Sequence, residues 1–142
     1  MSARRIKGKT KLVHFPRTAS VTFTSGDIVQ LTSGLVATAT AQSSKHIGII
    51  RTDVTSGDSD FATSAVKVPV EVPLEPGVEW EIDVTNTLLT TDLGTAFDLS
   101  TADLVNRSGT TYGVVTCKGY ISASKGRFQL NSNIDFADPT WE

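Results

Sequence analysis

Cysteine, methionine, histidine and long apolar runs are all scarce in this sequence of 142 residues, which has one Cys, one Met and two His. The lone cysteine, Cys117, cannot form an internal disulfide, so stability must come from packing or from assembly with other chains. Its place in the apolar run 113–117 favours a buried, unreactive thiol. No window approaches the roughly 20 apolar residues of a membrane-spanning helix, and the basic start is not followed by the apolar run of a signal peptide. We therefore expect a protein made in a cytosol, with no membrane partner.

The sequence also lacks the motifs that catalytic and cofactor sites use. A nucleophile needs a base close to it, and neither His14 nor His46 stands in a recognisable catalytic context. There is no GxSxG, P-loop, GxGxxG, HExxH or CxxC pattern. We predict that the chain has no catalytic residues and needs no cofactor, and that it binds or coats something.

Two groups of acidic residues are open to a functional interpretation. The loop from Asp53 to Asp60 gathers three carboxylates around a glycine, and such oxygens are calcium ligands. It lacks the EF-hand spacing, however, and Asp, Ser and Gly also build ordinary solvent-facing turns. Glu71, Glu75, Glu79, Glu81 and Asp83 form the second group, and their alternation with apolar residues is typical of the solvated face of a strand pair. We predict a turn and a strand here, with no metal site and no pair of catalytic acids.

Threonine and valine are abundant, with 20 and 14 residues. Their β-branched side chains suit a pleated strand better than a helix. About eight to ten short strands can be counted, separated by turn signals at the ~8–12 residue spacing of a small β-sandwich or β-barrel. The sequence therefore predicts an all-β fold with at most one short helix. That helix is expected over Leu99 to Val105, with Ser100 or Thr101 as its N-cap.

The clearest strand pattern lies at residues 66–73, where four valines alternate with Lys67, Pro69, Glu71 and Pro73. This period of two predicts that the valines face the core. Because proline cannot donate a hydrogen bond to a neighbouring strand, the pattern also predicts an edge strand, or one paired on a single side.

Positive charge is concentrated at the start of the chain. Residues 1–17 hold six Lys/Arg and no acid, which leaves seven bases against fifteen acids in residues 18–142, a charge of about −8. Because residues 1–19 show neither sustained alternation nor a helical stripe, we predict a flexible, extended, basic N-terminal arm attached to a β-rich domain of residues 20–142.

The basic arm could in principle neutralise phosphates. However, the acidic body would repel nucleic acid, and Phe15 is the only aromatic residue of the arm. We therefore predict an acidic protein surface as the partner, with a disordered solubilising tail as the alternative and no nucleic acid. The predicted partner-binding residues are Arg4, Arg5, Lys7, Lys9, Lys11, Leu12, Val13 and Phe15.

Four segments follow one another between residues 20 and 72: SGDIVQL (25–31), GLVATAT (34–40), IGII (47–50) and VKVPV (66–70). This order of a Gly-Asp turn, Ala/Thr strand, Ile-Gly-Ile strand, acidic loop and valine strand resembles the small capsid decoration (cement) proteins of tailed bacteriophages. The resemblance implies a structural virion protein that binds and stabilises the capsid exterior. It further implies a homotrimer at local three-fold positions, whose terminal arm contacts the major capsid protein or a neighbouring copy.

A carbohydrate- or receptor-binding β module of a virion is the alternative function. Exposed aromatic side chains would then stack on sugars, and the candidates are Trp80, Trp141, Tyr112 and Tyr120. Trp80 alternates with acidic residues, which predicts that it lies in the core.

Overall fold

The computed structural model of the protein describes residues 3–41, 45–64, 66–75 and 77–131, and it confirms the all-β fold, with 52% of the described residues in strands and 2% in helix. Within these ranges the strands are β1 (Arg4–Lys7), β2 (Thr10–Pro16), β3 (Ile28–Thr32), β4 (Leu35–Thr38), β5 (His46–Ile50), β6 (Lys67–Pro73), β7 (Glu79–Thr85), β8 (Ala96–Thr101), β9 (Leu104–Asn106), β10 (Val115–Ser122) and β11 (Lys125–Leu130). A 3-10 helix covers Thr90–Asp92. In the described part of the chain, no helix has the length and apolar character needed to cross a membrane.

The first sheet is a closed five-stranded barrel with the order β2-β6-β5-β3-β4. Its two ends meet where Arg17 bridges to Val36 and the Thr18 N–H donates to the Val36 carbonyl at 3.0 Å. Alternate residues of each strand point inward, as the pleat requires. With Phe23 and Val54, which form an isolated bridge outside the strands, they build a core of Phe15, Phe23, Val29, Val36, Ile47, Ile50, Val54, Val68, Val70 and Val72.

The second sheet has six strands in the order β1-β7-β11-β10-β8-β9, and β9 also pairs in parallel with β7. The pairing therefore runs in a ring through β7, β11, β10, β8 and β9. β1 lies outside this ring and pairs with residues 79–81 of β7. Ile28 and Ile49 of the barrel belong to the same apolar cluster as Trp80 and Phe128 of the second sheet, so a second core, distinct from the barrel interior, joins the two sheets.

The predicted facing of residues 66–73 is confirmed, but the predicted edge position is wrong. Val68, Val70 and Val72 are buried, whereas β6 pairs with β2 on one side and with β5 on the other. The ladder to β5 is short: it joins Glu71 and Val70 to Ile49 and Ile50. The Pro69 carbonyl accepts from the Arg51 N–H at 3.0 Å on the β5 side. Pro69 and Pro73 lie on either side of the two residues that pair with β5, so neither proline has to donate a hydrogen bond to this ladder. A central strand therefore tolerates them.

The helix expected over Leu99 to Val105 is also wrong. This stretch is a tight hairpin between β8 and β9, in which Leu99 lies opposite Val105. Both side chains are buried in the shared core, and burying them on one sheet face requires the period of two. The Thr101 hydroxyl donates to the Asp103 carboxylate at 2.9 Å inside the turn. The polar residues from which a helix cap was predicted therefore form a turn. The same residue types favour both structures.

The N-terminal segment is extended, as predicted, but it is folded into the domain and is not a separate flexible arm. β1 pairs with β7, and all seven residues of β2 pair with β6. Phe15 lies in the barrel core, and the Arg17 side chain is buried. The inward-facing positions include Lys11 and Arg17 alongside Val13 and Phe15, so charge interrupts the apolar alternation. For that reason the strand is hard to recognise in the sequence.

Candidate functional site

The basic residues of β1 are paired with acidic residues of the same chain. The Arg4 guanidinium lies 2.6 Å from the Glu81 carboxylate, and Lys7 Nζ lies 3.6 Å from Glu79. Lys125 of β11 lies 3.3 Å from Glu81 on the other side. The prediction of a solvated acidic face on β7 is wrong in degree, because Glu79 is buried and Glu81 and Asp83 are half-buried beneath basic side chains. The acidic surface on which the basic segment orders is its own domain.

Glu71 connects the two sheets through three partners. It accepts hydrogen bonds from the Thr10 hydroxyl at 2.7 Å and Arg5 Nε at 3.0 Å, and Arg51 Nη2 lies 2.7 Å away. Desolvation raises the pKa of Glu71, but the hydrogen bonds and positive charges outweigh it and lower the pKa below its ordinary value. Arg51 also lies over the Trp80 ring, 5.9 Å from its centroid. These contacts stabilise the junction between the barrel and the second sheet.

The remaining residues of the predicted partner-binding set lie in different parts of the domain, some in the core and some on the surface. Phe15 lies in the barrel core, and Val13 packs against that core. The Lys9 N–H donates to the Glu75 carboxylate at 3.0 Å, and Lys11 is half-buried. Leu12 points outward with 55% of its surface exposed. The structure therefore does not bring the predicted set together on one free surface.

Two buried charged residues that the sequence analysis missed connect loops to the sheets. Arg17 donates to the Asp60 carbonyl at 2.9 Å and to the Phe61 carbonyl at 3.3 Å. Asp98 accepts the N–H groups of Tyr112 and Gly113 at 2.7 and 2.8 Å. The alternation of the sequence could have indicated that Arg17 is buried, because position 17 continues the series of inward-facing positions 13 and 15. Both charges are matched by internal partners, which is what burial requires.

The acidic loop is organised as a turn. Asp53 Oδ1 accepts from the Ser25 N–H at 2.7 Å, and Asp58 Oδ2 accepts from the Thr55 N–H at 3.0 Å. A shallow cleft of about 180 Å³ lies between this loop and β6. Within the described ranges, no group of three or more His, Cys, Asp or Glu side chains is placed to hold a metal ion.

The cysteine and the histidines belong to different parts of the fold. Cys117 is buried in the core of the second sheet, as predicted, and burial raises the pKa of its thiol. A thiol of raised pKa is a poor nucleophile. His46 is buried in β5, and His14 is exposed on β2, so both histidines lie on strands of the barrel.

An exposed apolar surface lies on the second sheet. We call the side chains of Leu89, Leu93, Tyr120 and Ile121 the apolar surface; each is at least 41% exposed. They are carried by two adjacent segments. The Leu88 N–H donates to the Ala123 carbonyl and the Gly94 N–H to the Cys117 carbonyl, each at 2.8 Å. Residues 88–94 therefore run alongside residues 117–123.

The loop that carries Leu89 and Leu93 begins with a strained turn. Asn86 and Thr87 both have positive φ, at 69° and 60°. This conformation is costly for a β-branched residue such as Thr87. Asn86 Nδ2 donates to Asn106 Oδ1 at 3.0 Å and connects the turn to β9. The turn is thus attached to β9 although its backbone is strained.

The aromatic residues proposed for sugar binding are dispersed. Trp80 is fully buried, as predicted, so it cannot stack on a ligand. Trp141 lies outside the described residues. Tyr112 is exposed in the loop before β10, whereas Tyr120 belongs to the apolar surface. Neither the family models nor the curated proteins with which the sequence was compared include a match to this chain.

Proposed function

We propose that this chain is a structural virion protein that binds and stabilises the outer surface of an assembled phage capsid. The observation that supports this most is the apolar surface, which combines four large exposed side chains with a stable β scaffold. These side chains lie on two adjacent segments, and large exposed apolar patches mark interaction sites. The order of turns and strands in residues 20 to 72, which resembles that of capsid decoration proteins, supports the same function.

The attachment is expected to be dominated by apolar burial. Covering a large apolar side chain completely contributes roughly 1.5–3 kcal/mol, whereas an exposed ion pair contributes about 0–1 kcal/mol. Arg4 and Lys7 already have acidic partners within the domain, so they have less to gain from a capsid. Binding to the major capsid protein should therefore depend little on salt.

The proposal includes three copies around each local three-fold position. β1 is exposed along its length and is an outer strand of its sheet. Its register shifts between Arg5 and Lys7, which makes Ile6 a bulge. Bulges and charged residues on an edge strand oppose strand addition. We therefore expect the contacts between copies to be made by side chains and not by backbone hydrogen bonds between edge strands. Light scattering during gel filtration tests the trimer directly, and a monomer at all concentrations, on and off the capsid, would contradict it.

The test of attachment is co-sedimentation with intact phage heads and with dissociated capsid subunits. We expect the protein to sediment with intact heads and not to bind the dissociated subunits. A double variant, Leu93→Ser with Tyr120→Ser, should lose at least tenfold in affinity. Tyr112→Ser is the matched control because Tyr112 is equally exposed but lies elsewhere, and it should bind like the unmodified protein.

Two results would overturn the proposal. One is no binding to heads by a folded protein. The other is binding that collapses between 50 and 200 mM salt together with tight binding to DNA, because a steep salt dependence is the behaviour of phosphate contacts. Equal losses for the double variant and for Tyr112→Ser would leave attachment in place but reject the apolar surface as its site.

A further inference from the structure

The outer face of β2 and β6 is a second exposed surface. We call the side chains of Leu12, His14, Lys67, Pro69 and Pro73 the β2–β6 face. In the register of the two strands, His14 lies opposite Pro69, and Leu12 lies opposite Glu71. Leu12 and His14 are exposed, and the two prolines are half-buried. Leu12 and Pro69 therefore form an apolar centre beside the Glu71 carboxylate, and the prolines make the backbone rigid.

Positive charge borders this apolar centre. Lys67 at one end of β6 and Lys9 just before β2 are exposed, and neither ammonium group forms an ion pair within the described residues. Glu71, which lies opposite Leu12, already has Arg5 and Arg51 as partners, and the exposed Glu75 carboxylate accepts from the Lys9 backbone N–H at 3.0 Å. The face therefore suits a segment that combines apolar and acidic side chains.

The last eleven residues of the chain have this composition. Residues 132–142 read SNIDFADPTWE, with three acids, no Lys or Arg, and the apolar residues Ile134, Phe136 and Trp141. This segment complements the β2–β6 face in both charge and apolar character.

The segment also starts at the correct end of the face. Asn131, the last described residue, is anchored because its N–H donates to the Val114 carbonyl at 2.9 Å and its Nδ2 to the Gly113 carbonyl at 3.0 Å. Phe128 of β11 lies opposite Trp80, so continuing this antiparallel register places Leu130 beside Val78. Val78 is packed so closely on Gly8 that a Cβ on Gly8 would lie 2.8 Å from the Val78 Cα.

Gly8 leads through Lys9 directly into β2, so the chain leaves β11 near the end of the face that carries Lys9 and Pro73. Eleven extended residues reach about 36 Å. The seven residues of β2 span about 24 Å. The segment is long enough to cover the whole face.

We propose that residues 132–142 bind the β2–β6 face of their own chain, with apolar side chains on Leu12 and Pro69 and carboxylates near Lys9 and Lys67. This inference is independent of capsid attachment. It concerns a different surface, and it assigns that surface an occupant within the molecule.

Amide chemical shifts of the full chain and of a chain ending at Asn131 test the proposal. Removing the segment should shift the amides of Leu12, His14 and Lys67 and leave Tyr120 and Ile121 unchanged, at every protein concentration. The double variant Leu12→Ser with Lys67→Glu in the full chain should reproduce the shifts of the truncated chain at sites remote from the substitutions. Lys118→Glu on β10, the matched control, should not.

The accessibility of Trp141 provides a second measurement. Its fluorescence, taken as the difference between the full chain and Trp141→Phe, should be quenched by acrylamide several-fold more strongly in the double variant than in the unmodified protein. Three results would overturn the proposal: no shifts on the β2–β6 face after truncation, shifts confined to another surface, or shifts that appear only at high concentration. The last result would assign the segment to a second copy.

Discussion

Arg107 donates two hydrogen bonds to the Asp92 carboxylate, from Nε to Oδ2 and from Nη2 to Oδ1, each at 3.0 Å. Such paired contacts orient both groups strongly. The hydrogen bond from Arg107 is the main reason why the pKa of Asp92 is lowered from its ordinary value. Asp92 Oδ2 also accepts from the Leu89 N–H at 2.8 Å. The pair therefore holds the loop that presents Leu89 and Leu93.

The first prediction concerns Asp92 and pH. Because the pKa of Asp92 is lower in the folded than in the unfolded chain, its ionisation stabilises the fold above the unfolded pKa, and that stability is lost as pH falls through the folded pKa. Asp92→Asn should therefore lower the melting temperature at pH 7, and the difference from the unmodified protein should shrink below about pH 4. Thr91→Ala, next to it and exposed, is the control. A difference that stays constant down to pH 2 would contradict the prediction.

The second prediction concerns the buried Arg17. Arg17→Met should destabilise the barrel, because it removes the hydrogen bonds that the buried guanidinium donates to the Asp60 and Phe61 carbonyls, and a hydrogen bond from a charged group contributes about 1.5–3 kcal/mol. Urea unfolding followed by circular dichroism measures the change in free energy of unfolding. Arg127→Met is the control, because the Arg127 side chain is 45% exposed and its ion pair with Glu79 is long, at 3.8 Å; we expect less than about 1 kcal/mol. Equal effects would mean that the Arg17 contacts add nothing.

The third prediction separates β1 from β2 by truncation. Deleting residues 1–17 should prevent folding, because it removes a barrel strand with seven paired residues and the core side chain of Phe15. Deleting residues 1–7 should leave a folded but less stable domain, because all four residues of β1 are exposed. Circular dichroism and the cooperativity of melting distinguish the two. A cooperative transition after deletion of residues 1–17 would show that β2 is dispensable.

The fourth prediction concerns the two faces of β6. Val68 is buried and Lys67 is exposed, so Val68→Asp places an unpaired charge in the barrel core, at a cost of several kcal/mol. Lys67→Asp should cost less than about 1 kcal/mol. Comparison of their melting temperatures measures the difference, and similar values for the two variants would mean that the valines do not face the core in solution.

Much of the fold could be predicted because local alternation records which side of a strand is buried. The valines of β6, the burial of Trp80 and that of Cys117 all follow from residues adjacent in the sequence. The candidate site was harder to predict from the sequence. Leu12 is exposed, but Phe15 on the same strand is in the core, and a segment with so many charges gives no local sign of that division.

By itself the sequence determined the all-β class, the two faces of β6 and β7, and the absence of an internal disulfide. The tertiary structure decided where the N-terminal segment lies, which strands are central, and which exposed apolar side chains lie on adjacent segments. Arg4 meets Glu81 across 77 positions of sequence, and residues 88–94 meet residues 117–123 through backbone hydrogen bonds. A strand's facing is a property of its own alternation, whereas its partners are selected by the burial and hydrogen bonding of the whole chain, which no local window contains.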